Sequence, residues 1–295
     1  FRKNCPVLSA PMQTRSPLAP VIKWSGSKRS MARTLGALFP PAPRYLEPFV
    51  GGGAMLAMRR SIPAVAADII PELMGLWELI RDDPSLVVAQ YRHRWERLQS
   101  EGHTAFYAVR ADFNRSRNPH DLMFLSRTCV NGLIRFSRAG DFNNSLHHTR
   151  PGIDPFRLGG VVDEWSRVLQ GVELLTADYR ETLARVTKDD FVFLDPPYAG
   201  TKGRYHPEGF PPEPLWRELD RLNSVGARWM LTFDGRAGKR EYATSVPEEI
   251  YVTRLSIGSG HSPFTRLMGS SLDEVTESVY LNYEPSCEWD SKFTN

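Results

Sequence analysis

Four consecutive residues, Asp195-Pro196-Pro197-Tyr198, bring a carboxylate, a proline carbonyl and an aromatic face into one short stretch. The carboxylate accepts a hydrogen bond from an amino group. The Pro196 carbonyl accepts a second, because proline keeps its C=O while losing its N–H. An NH2 held by two acceptors has its nitrogen lone pair turned outward, and the Tyr198 ring offers a flat face on which a planar base stacks. This is a holder for an exocyclic amine on an aromatic ring, and its missing partner is an electrophile.

The residues before it position it. Phe191-Val192-Phe193-Leu194 is a short apolar run that reads as a buried strand of an α/β sheet, and the two prolines stop it because they cannot donate to a ladder. Asp195 therefore stands at a strand's carboxyl end, where open α/β sheets hold their ligand crevice. Asp-Pro and Pro-Pro also make ordinary turns; the strand before and the polar loop after favour a site. That loop carries Lys202, Arg204, Tyr205 and His206 and is placed to close over a substrate.

Other candidate site residues lie upstream. Val21-Ile22 leads into the small-residue loop Lys23-Trp24-Ser25-Gly26-Ser27-Lys28-Arg29, and Met31, Leu35 and Leu38 then recur at helical spacing up to Pro40-Pro41. Such an opening suggests an anion site at a helix N-terminus, although the upstream glycine of a P-loop is missing. Next, Tyr45-Leu46-Glu47-Pro48-Phe49-Val50-Gly51-Gly52-Gly53 reads as strand and Gly-rich turn, with Ala54, Met55, Leu56 and Met58 on a following helix. Gly51 and Gly53 match the first two glycines of the dinucleotide fingerprint, but Leu56 holds the third position, which favours a ligand without a pyrophosphate. The strand 64–68 then ends in Asp68, 17 residues after Gly51, where an acid commonly accepts both ribose hydroxyls.

Residues 71–137 read as helical, with core stripes at Leu73, Leu76, Trp77 and Ile80, at Leu86, Val87, Tyr91, Trp95 and Leu98, and at Phe106, Tyr107, Val109 and Phe113. A last helix over 122–136 is broken at Asn131-Gly132, and 138–160 reads as loop. His147-His148, with no other ligand spacing nearby, reads as polar loop, and no metal is expected. The sheet resumes with a strand over 172–176 ending in Asp178-Tyr179. A helix over 215–222, a strand over 229–233 and an antiparallel pair over 249–255 and 276–283 complete it.

Composition bounds the class. With 295 residues, 41% hydrophobic and 24% charged, the chain is long enough for one large domain with an inserted subdomain. No apolar run reaches a membrane span. Residues 1–17 lack the apolar core of a signal peptide and read as a loose tail, and the absence of an initiating Met leaves the true start open. Three well-separated cysteines, Cys5, Cys129 and Cys287, fit a reducing compartment better than a disulfide framework. The net charge of +3 is unevenly spread: residues 85–150 hold ten arginines and no lysine against five acids, so the rest is mildly acidic. An Arg-rich segment in an acidic body is the footprint of a nucleic-acid-binding insert.

These motifs, in this order over about residues 21–283, resemble the Dam-type N6-adenine-specific DNA methyltransferases of the D12 class (α group). Lys23-Trp24-Ser25-Gly26-Ser27-Lys28 is similar to the family's N-terminal cofactor loop, Glu47 to Gly53 to its FxGxG motif, and Asp195-Pro196-Pro197-Tyr198 to its catalytic tetrapeptide. The resemblance implies a Rossmann-like class I methyltransferase fold, α/β with a seven-stranded mixed sheet. The S-adenosylmethionine-binding catalytic domain would comprise 18–71 and 161–295, and 72–160 would be an inserted helical target-recognition domain. It also implies a cofactor pocket of Trp24, Gly26, Lys28, Glu47, Phe49, Gly51, Gly53, Asp68, Asp178 and Asp195, with Asp68 on the ribose and Asp178 near the cofactor's adenine. Arg127, Asn131, Arg135 and Lys202 would face double-stranded DNA, and an adenine flipped from the duplex would meet Asp195, Pro196, Pro197 and Tyr198. A cognate restriction enzyme is a candidate partner. The chain is expected to act as a monomer or weak dimer in the cytoplasm, with the DNA of a prokaryote or its phage.

Two departures matter. Where two glycines often follow the Trp, this chain has the single Gly26 between Ser25 and Ser27, and Val130 precedes Asn131-Gly132 where an aromatic is frequent, so the familiar GATC target is not carried over. Cytosine-N4, RNA or protein-amide methylation would use the same sheet, with Asp at the first tetrapeptide position favouring adenine and the Arg-rich insert favouring a nucleic acid. A DNA-binding regulator without catalysis and an NAD oxidoreductase are the readings from other classes. The intact Asp195, Tyr198, Trp24 and Lys28 argue against the first, and the missing third glycine against the second.

Overall fold

A computed structural model describes residues 16–149, 152–197, 210–237, 240–241, 246–261 and 274–285. Its centre is a mixed sheet in which β1 (Arg44–Glu47), β2 (Ala64–Asp68), β3 (Val172–Thr176), β4 (Asp190–Leu194), β5 (Arg228–Ala237), β7 (Thr253–His261) and β8 (Glu274–Leu281) run in the order β3-β2-β1-β4-β5-β8-β7, while the two-residue β6 (Arg240–Glu241) pairs with β5. The strands from β3 to β5 pair in parallel, and β8 is antiparallel to both β5 and β7. The chain builds outward from β1 to β3 and then returns to lay β4 on the other side of β1. The seam between β1 and β4 is therefore the topological switch point, where such sheets open a crevice.

Side-chain alternation divides the core into two faces. Phe191 and Phe193 of β4 point into one apolar cluster, with Tyr45, Ala64, Ala66, Met230, Val279 and Leu281. Val192 and Leu194 point into the other, with Leu46, Val65, Trp229, Leu231 and Tyr280. Burial on both faces explains why these strands are nearly continuous apolar runs. The second face is covered by α7 (Tyr179–Leu183) and α8 (Glu213–Val225), the latter through Leu215, Leu219 and Leu222.

The first face carries α1 (Ala32–Ala37) and a helical layer of α2 (Pro71–Asp82), α3 (Pro84–Glu101), α4 (His103–Ser116), α5 (Pro119–Thr128) and α6 (Pro155–Leu169). Local signals set their ends. Proline opens α2, α3, α5 and α6, where a missing N–H costs nothing. The side chains of Asp83, Asn118 and Asp154 accept the first free N–H groups of α3, α5 and α6.

The structure alters three expectations. No α-helix follows the Gly-rich turn: a 3-10 turn, Leu56–Arg59, gives way to Ser61-Ile62-Pro63, where the positive φ of Ser61 (+82°) and the proline turn the chain into β2. The helix expected over 122–136 stops at Thr128, and residues 129–146 fold back as a hairpin closed by bridges between Cys129 and Leu146 and between Phe136 and Phe142. Finally, α6 runs unbroken across the expected 160/161 boundary, and its Leu158, Val162, Trp165 and Leu169 join the core that α2 and α3 share with the sheet. Trp165 meets Trp77 of α2 at a ring separation of 4.9 Å. The helical layer of α2 to α6 thus shares one core with the sheet's first face.

Candidate active site

A cavity of about 440 Å³ opens at the carboxyl ends of β1, β2, β3 and β4, reached by Glu47, Asp68, Asp178 and Asp195. Its size suits a nucleoside-sized ligand, since small-molecule sites span roughly 300–1,000 Å³.

Asp195 follows β4 directly and is held from one side. Its Oδ1 lies 2.8 Å from Lys28 Nζ, and it accepts a 2.7 Å hydrogen bond from the Thr232 hydroxyl on β5. Among the described residues no donor is bonded to Oδ2. Lys28 is only 4% exposed; its ammonium also lies 3.3 Å from Glu277 Oε2 on β8 and donates to the Gly26 carbonyl at 3.3 Å. Pro196 is buried and Pro197 exposed, both lining the cavity. Tyr198 and Lys202 lie outside the described residues.

Glu47 ends β1 inside the same wall. It accepts a 2.8 Å hydrogen bond from the Tyr45 hydroxyl. Burial pushes its carboxyl well above the usual range, more than this bond lowers it, and the negative charge of Asp195 pushes it further. Both influences favour the neutral carboxyl, the form that adds no second negative charge beside Asp195.

At the other end, Asp68 Oδ2 accepts the Gly51 N–H at 3.2 Å and Oδ1 the Ile70 N–H at 3.3 Å. Each oxygen keeps a lone pair for a ligand hydroxyl. Burial raises this carboxyl to about 6, against the lowering effect of those backbone bonds. Asp178 lines the cavity as the N-cap of α7 and pairs with Arg180 at 2.8 Å. Phe49 stacks on Tyr179 at 5.3 Å and meets the edge of Phe210 at 6.0 Å, fixing an apolar wall.

The glycine turn serves packing as much as approach. A Cβ on Gly51 (φ +45°) would stand 2.8 Å from Trp24 Cδ1, and one on Gly53 (φ +70°) 2.9 Å from Trp165 Cη2. Trp24 and Gly51 line the cavity, as does Gly26; Gly53 lies behind it, against Trp165 and Trp77. The Trp77 indole N–H holds the Gly51 carbonyl at 3.0 Å, locking the turn.

The DNA-facing set divides. Arg127 is 8% exposed, and its guanidinium donates inward, to the Val21 carbonyl at 2.9 Å and to that of Pro20. Burial brings its pKa down to about 10. It is therefore a staple between α5 and the segment leading to Trp24 and Lys28, and the surface role expected for it is corrected. Asn131 and Arg135 are exposed on the hairpin, where Asn143 Oδ1 accepts from Arg135 Nε at 2.8 Å. Asn131 adopts φ +56°, and Gly132 beside it packs on Lys23: a Cβ there would be 2.6 Å from the lysine chain.

Sequence reasoning missed several side chains that complete the site. Ile134 and Phe136 reach the cavity from the hairpin, whose antiparallel bend a helical reading concealed. Thr232 and Glu277 reach Asp195 and Lys28 from strands far along the chain. One signal was present for Glu277: it shares strand parity with Val279 and Leu281, which face the core, and a charge at an inward position needs a partner.

A family model of the D12 class N6 adenine-specific DNA methyltransferases matches residues 24–245. The chain is 30% identical over 199 residues to the retron Ec67 DNA adenine methylase of Escherichia coli, covering 65% of this chain and 68% of that one. It is likewise 30% identical over 202 residues to the type II methyltransferase M.MjaIII of Methanocaldococcus jannaschii, covering 61% and 68%. Against the DNA adenine methylase of Vibrio cholerae the identity is 26% over 182 residues, covering 60% and 64%. With the family match running from Trp24 through both glycine turn and tetrapeptide to residue 245, the chain belongs to the D12 class of N6 adenine-specific DNA methyltransferases.

Proposed function

We propose that this chain methylates the exocyclic N6 of an adenine flipped out of duplex DNA, with S-adenosylmethionine as donor. The observation that carries this reading is Asp195: its Oδ1 is fixed by Lys28 and Thr232, and its Oδ2 carries no bond among the described residues.

The cavity suits the cofactor by the chemistry of its walls. Asp68 offers lone pairs on two oxygens for vicinal ribose hydroxyls, Phe49 and Ile69 offer apolar faces for a ring, and Asp178 stands nearby to accept from an amino group. Trp24, Gly26, Glu47 and Gly51 line the wall running toward Asp195. When bound, the cofactor supplies a methyl group already activated by a positive sulfur, so catalysis asks the protein mainly for alignment.

Asp195 Oδ2 accepts one N–H of the target amine and the Pro196 carbonyl the other, which turns the nitrogen lone pair away from both. As positive charge grows on that nitrogen, the Asp195 carboxylate stabilises it from a fixed position until the surplus N6 proton passes to solvent, and prepositioned charge of this kind is the larger part of many rate enhancements. Tyr198 is assigned the stacking face for the base. Asn131, Arg135 and Lys202 are assigned to the duplex, and Ile134 and Phe136 place the hairpin's apolar side against the rim of the same cavity.

Nucleoside mass spectrometry on unmethylated duplex DNA, incubated with the protein and S-adenosylmethionine, tests this. N6-methyladenine is the expected product. N4-methylcytosine would keep the fold and reverse the base, and the absence of any methylated base, with cofactor binding seen by calorimetry, would overturn the reading.

A further inference from the structure

Lys28, near the start of the chain, is a buried cation between two carboxylates, Asp195 and Glu277, that both come from its C-terminal half. Its ammonium is 2.8 Å from Asp195 Oδ1 and 3.3 Å from Glu277 Oε2, and the three side chains are 4%, 19% and 14% exposed. Glu277 lies on β8, paired opposite Gly235 of β5 and Ile257 of β7 and beyond the stretch matched by the family model. Thr232 lies on β5, with its hydroxyl 2.7 Å from the same Oδ1.

The geometry poses a question about Lys28. A mobile ammonium beside a carboxylate gains by bridging both oxygens, since charge-assisted hydrogen bonds are stronger than neutral ones. Bridging would occupy Oδ2, the oxygen the target amine needs. Two further acceptors, Glu277 Oε2 and the Gly26 carbonyl, compete with Asp195 for the ammonium. From the methyl-transfer reading above, on which this rests, we infer that Glu277 is a positioning residue, anchoring Lys28 so that it meets Asp195 through Oδ1 alone and leaves Oδ2 to the amine, with Thr232 holding the same rotamer.

The test is Glu277→Gln in the full chain, with Glu277→Asp and Thr232→Val beside it, assayed on unmethylated duplex DNA with S-adenosylmethionine. For Glu277→Gln, kcat should fall about tenfold, the lower range for losing an outer-shell partner, with KM for DNA and for cofactor within about twofold of wild type. Glu277→Asp should recover most of the loss, because it restores the charge. Thr232→Val should lower kcat in the same way, and its combination with Glu277→Gln should cost less than the product of the two, since both act on one rotamer. A crystal structure of Glu277→Gln should show Lys28 Nζ within hydrogen-bond reach of Oδ2. Wild-type kcat in Glu277→Gln, losses in kcat and both KM values that aspartate does not recover, or an unmoved Lys28 would each overturn the inference. If Glu277→Gln fails to fold, wild-type kcat in Thr232→Val overturns it instead. A wild-type protein that methylates nothing defeats the methyl-transfer reading, a separate result, and the crystal structure still decides where Glu277 holds Lys28.

Discussion

Asp68 and Asp195 occupy equivalent places in the sheet, each at the carboxyl end of a parallel strand, one on either side of β1. Their surroundings differ. Asp195 has a buried ammonium and a hydroxyl on one oxygen and no hydrogen bond among the described residues on the other. Asp68 takes one backbone N–H on each oxygen, has no cation among its hydrogen-bond partners, and is raised to about 6 by burial. The first arrangement is asymmetric and suits one directed bond to a reacting group. The second is balanced and suits a pair of neutral donors. Topology supplies the place; the partners decide the chemistry.

The sharpest way to separate the two is to remove each. Asp195→Ala should reduce methyl transfer by a thousandfold or more, in line with the ~10²–10³ cost of losing a prepositioned transition-state partner compounded by a misplaced amine. Affinity for DNA and cofactor should stay within a few-fold, checked by gel shift and calorimetry. Asp68→Ala should instead weaken cofactor binding about tenfold to a hundredfold, the loss of about 1.5–3 kcal/mol expected for a hydrogen bond to a charged acceptor, while kcat at saturating cofactor changes little. If both variants moved kcat alone, the division between the ends of the cavity would fail.

Acidity sharpens the same contrast. Protonating Asp68 removes an acceptor, so cofactor affinity measured by calorimetry should weaken as pH falls through about 6, and in Asp68→Asn this dependence should vanish. The stability effect has the opposite sign. The folded carboxyl titrates near 6 and the unfolded one near about 3.9, so the folded state binds more protons between those values. Asp68 therefore contributes a loss of stability as pH rises from about 4 to 6.

Why these two aspartates were legible and their partners were not follows from chain distance. Asp68 and Asp195 each end an apolar run with a turn signal after it, and both are local features. Lys28, Thr232 and Glu277 meet only once β4, β5 and β8 are laid side by side, and no local spacing encodes that. The strands at 64–68 and 172–176 coincide with β2 and β3, and the antiparallel pair expected over 249–255 and 276–283 overlaps β7 and β8, whereas the order of the strands in the sheet was not read from the sequence. Nor was the hairpin at 129–146, because Leu133, Ile134 and Phe136 mimic a helical stripe while Asn131 and Gly132, both at positive φ, turn the chain. Arg127 was misread for a related reason: composition reports that a segment is basic, and burial alone reports which arginines point inward.

Arg127 and Arg135, only eight residues apart, carry that contrast into energetics. Arg127→Ala leaves the Val21 and Pro20 carbonyls without their donor, and a buried group losing its partner costs about 1–3 kcal/mol. Thermal unfolding should therefore fall by several degrees, and cofactor affinity should fall with it, because Val21 leads directly into the loop of Trp24 and Lys28. Its DNA site preference should be unchanged, and a variant with native stability and relaxed site choice would return Arg127 to the DNA surface.

Arg135 should behave in the reverse manner. It is exposed, so alanine costs little stability, yet its fork is already oriented: Nε and one terminal nitrogen both donate to Asn143, at 2.8 and 3.3 Å, on the facing arm of the hairpin. Holding the guanidinium from behind leaves the other N–H groups in a set direction, as a bidentate contact to a base edge requires. Losing such a contact costs about 1–3 kcal/mol of discrimination at one base pair. Sequencing of methylated products should then show Arg135→Ala accepting additional bases at a single position of its site. Asn143→Ala should produce a weaker form of the same relaxation, because it frees the fork without removing it. Uniformly weaker binding to every sequence in both variants would instead make Arg135 a phosphate contact, and the base reading would have to come from Asn131 or another side chain of the hairpin.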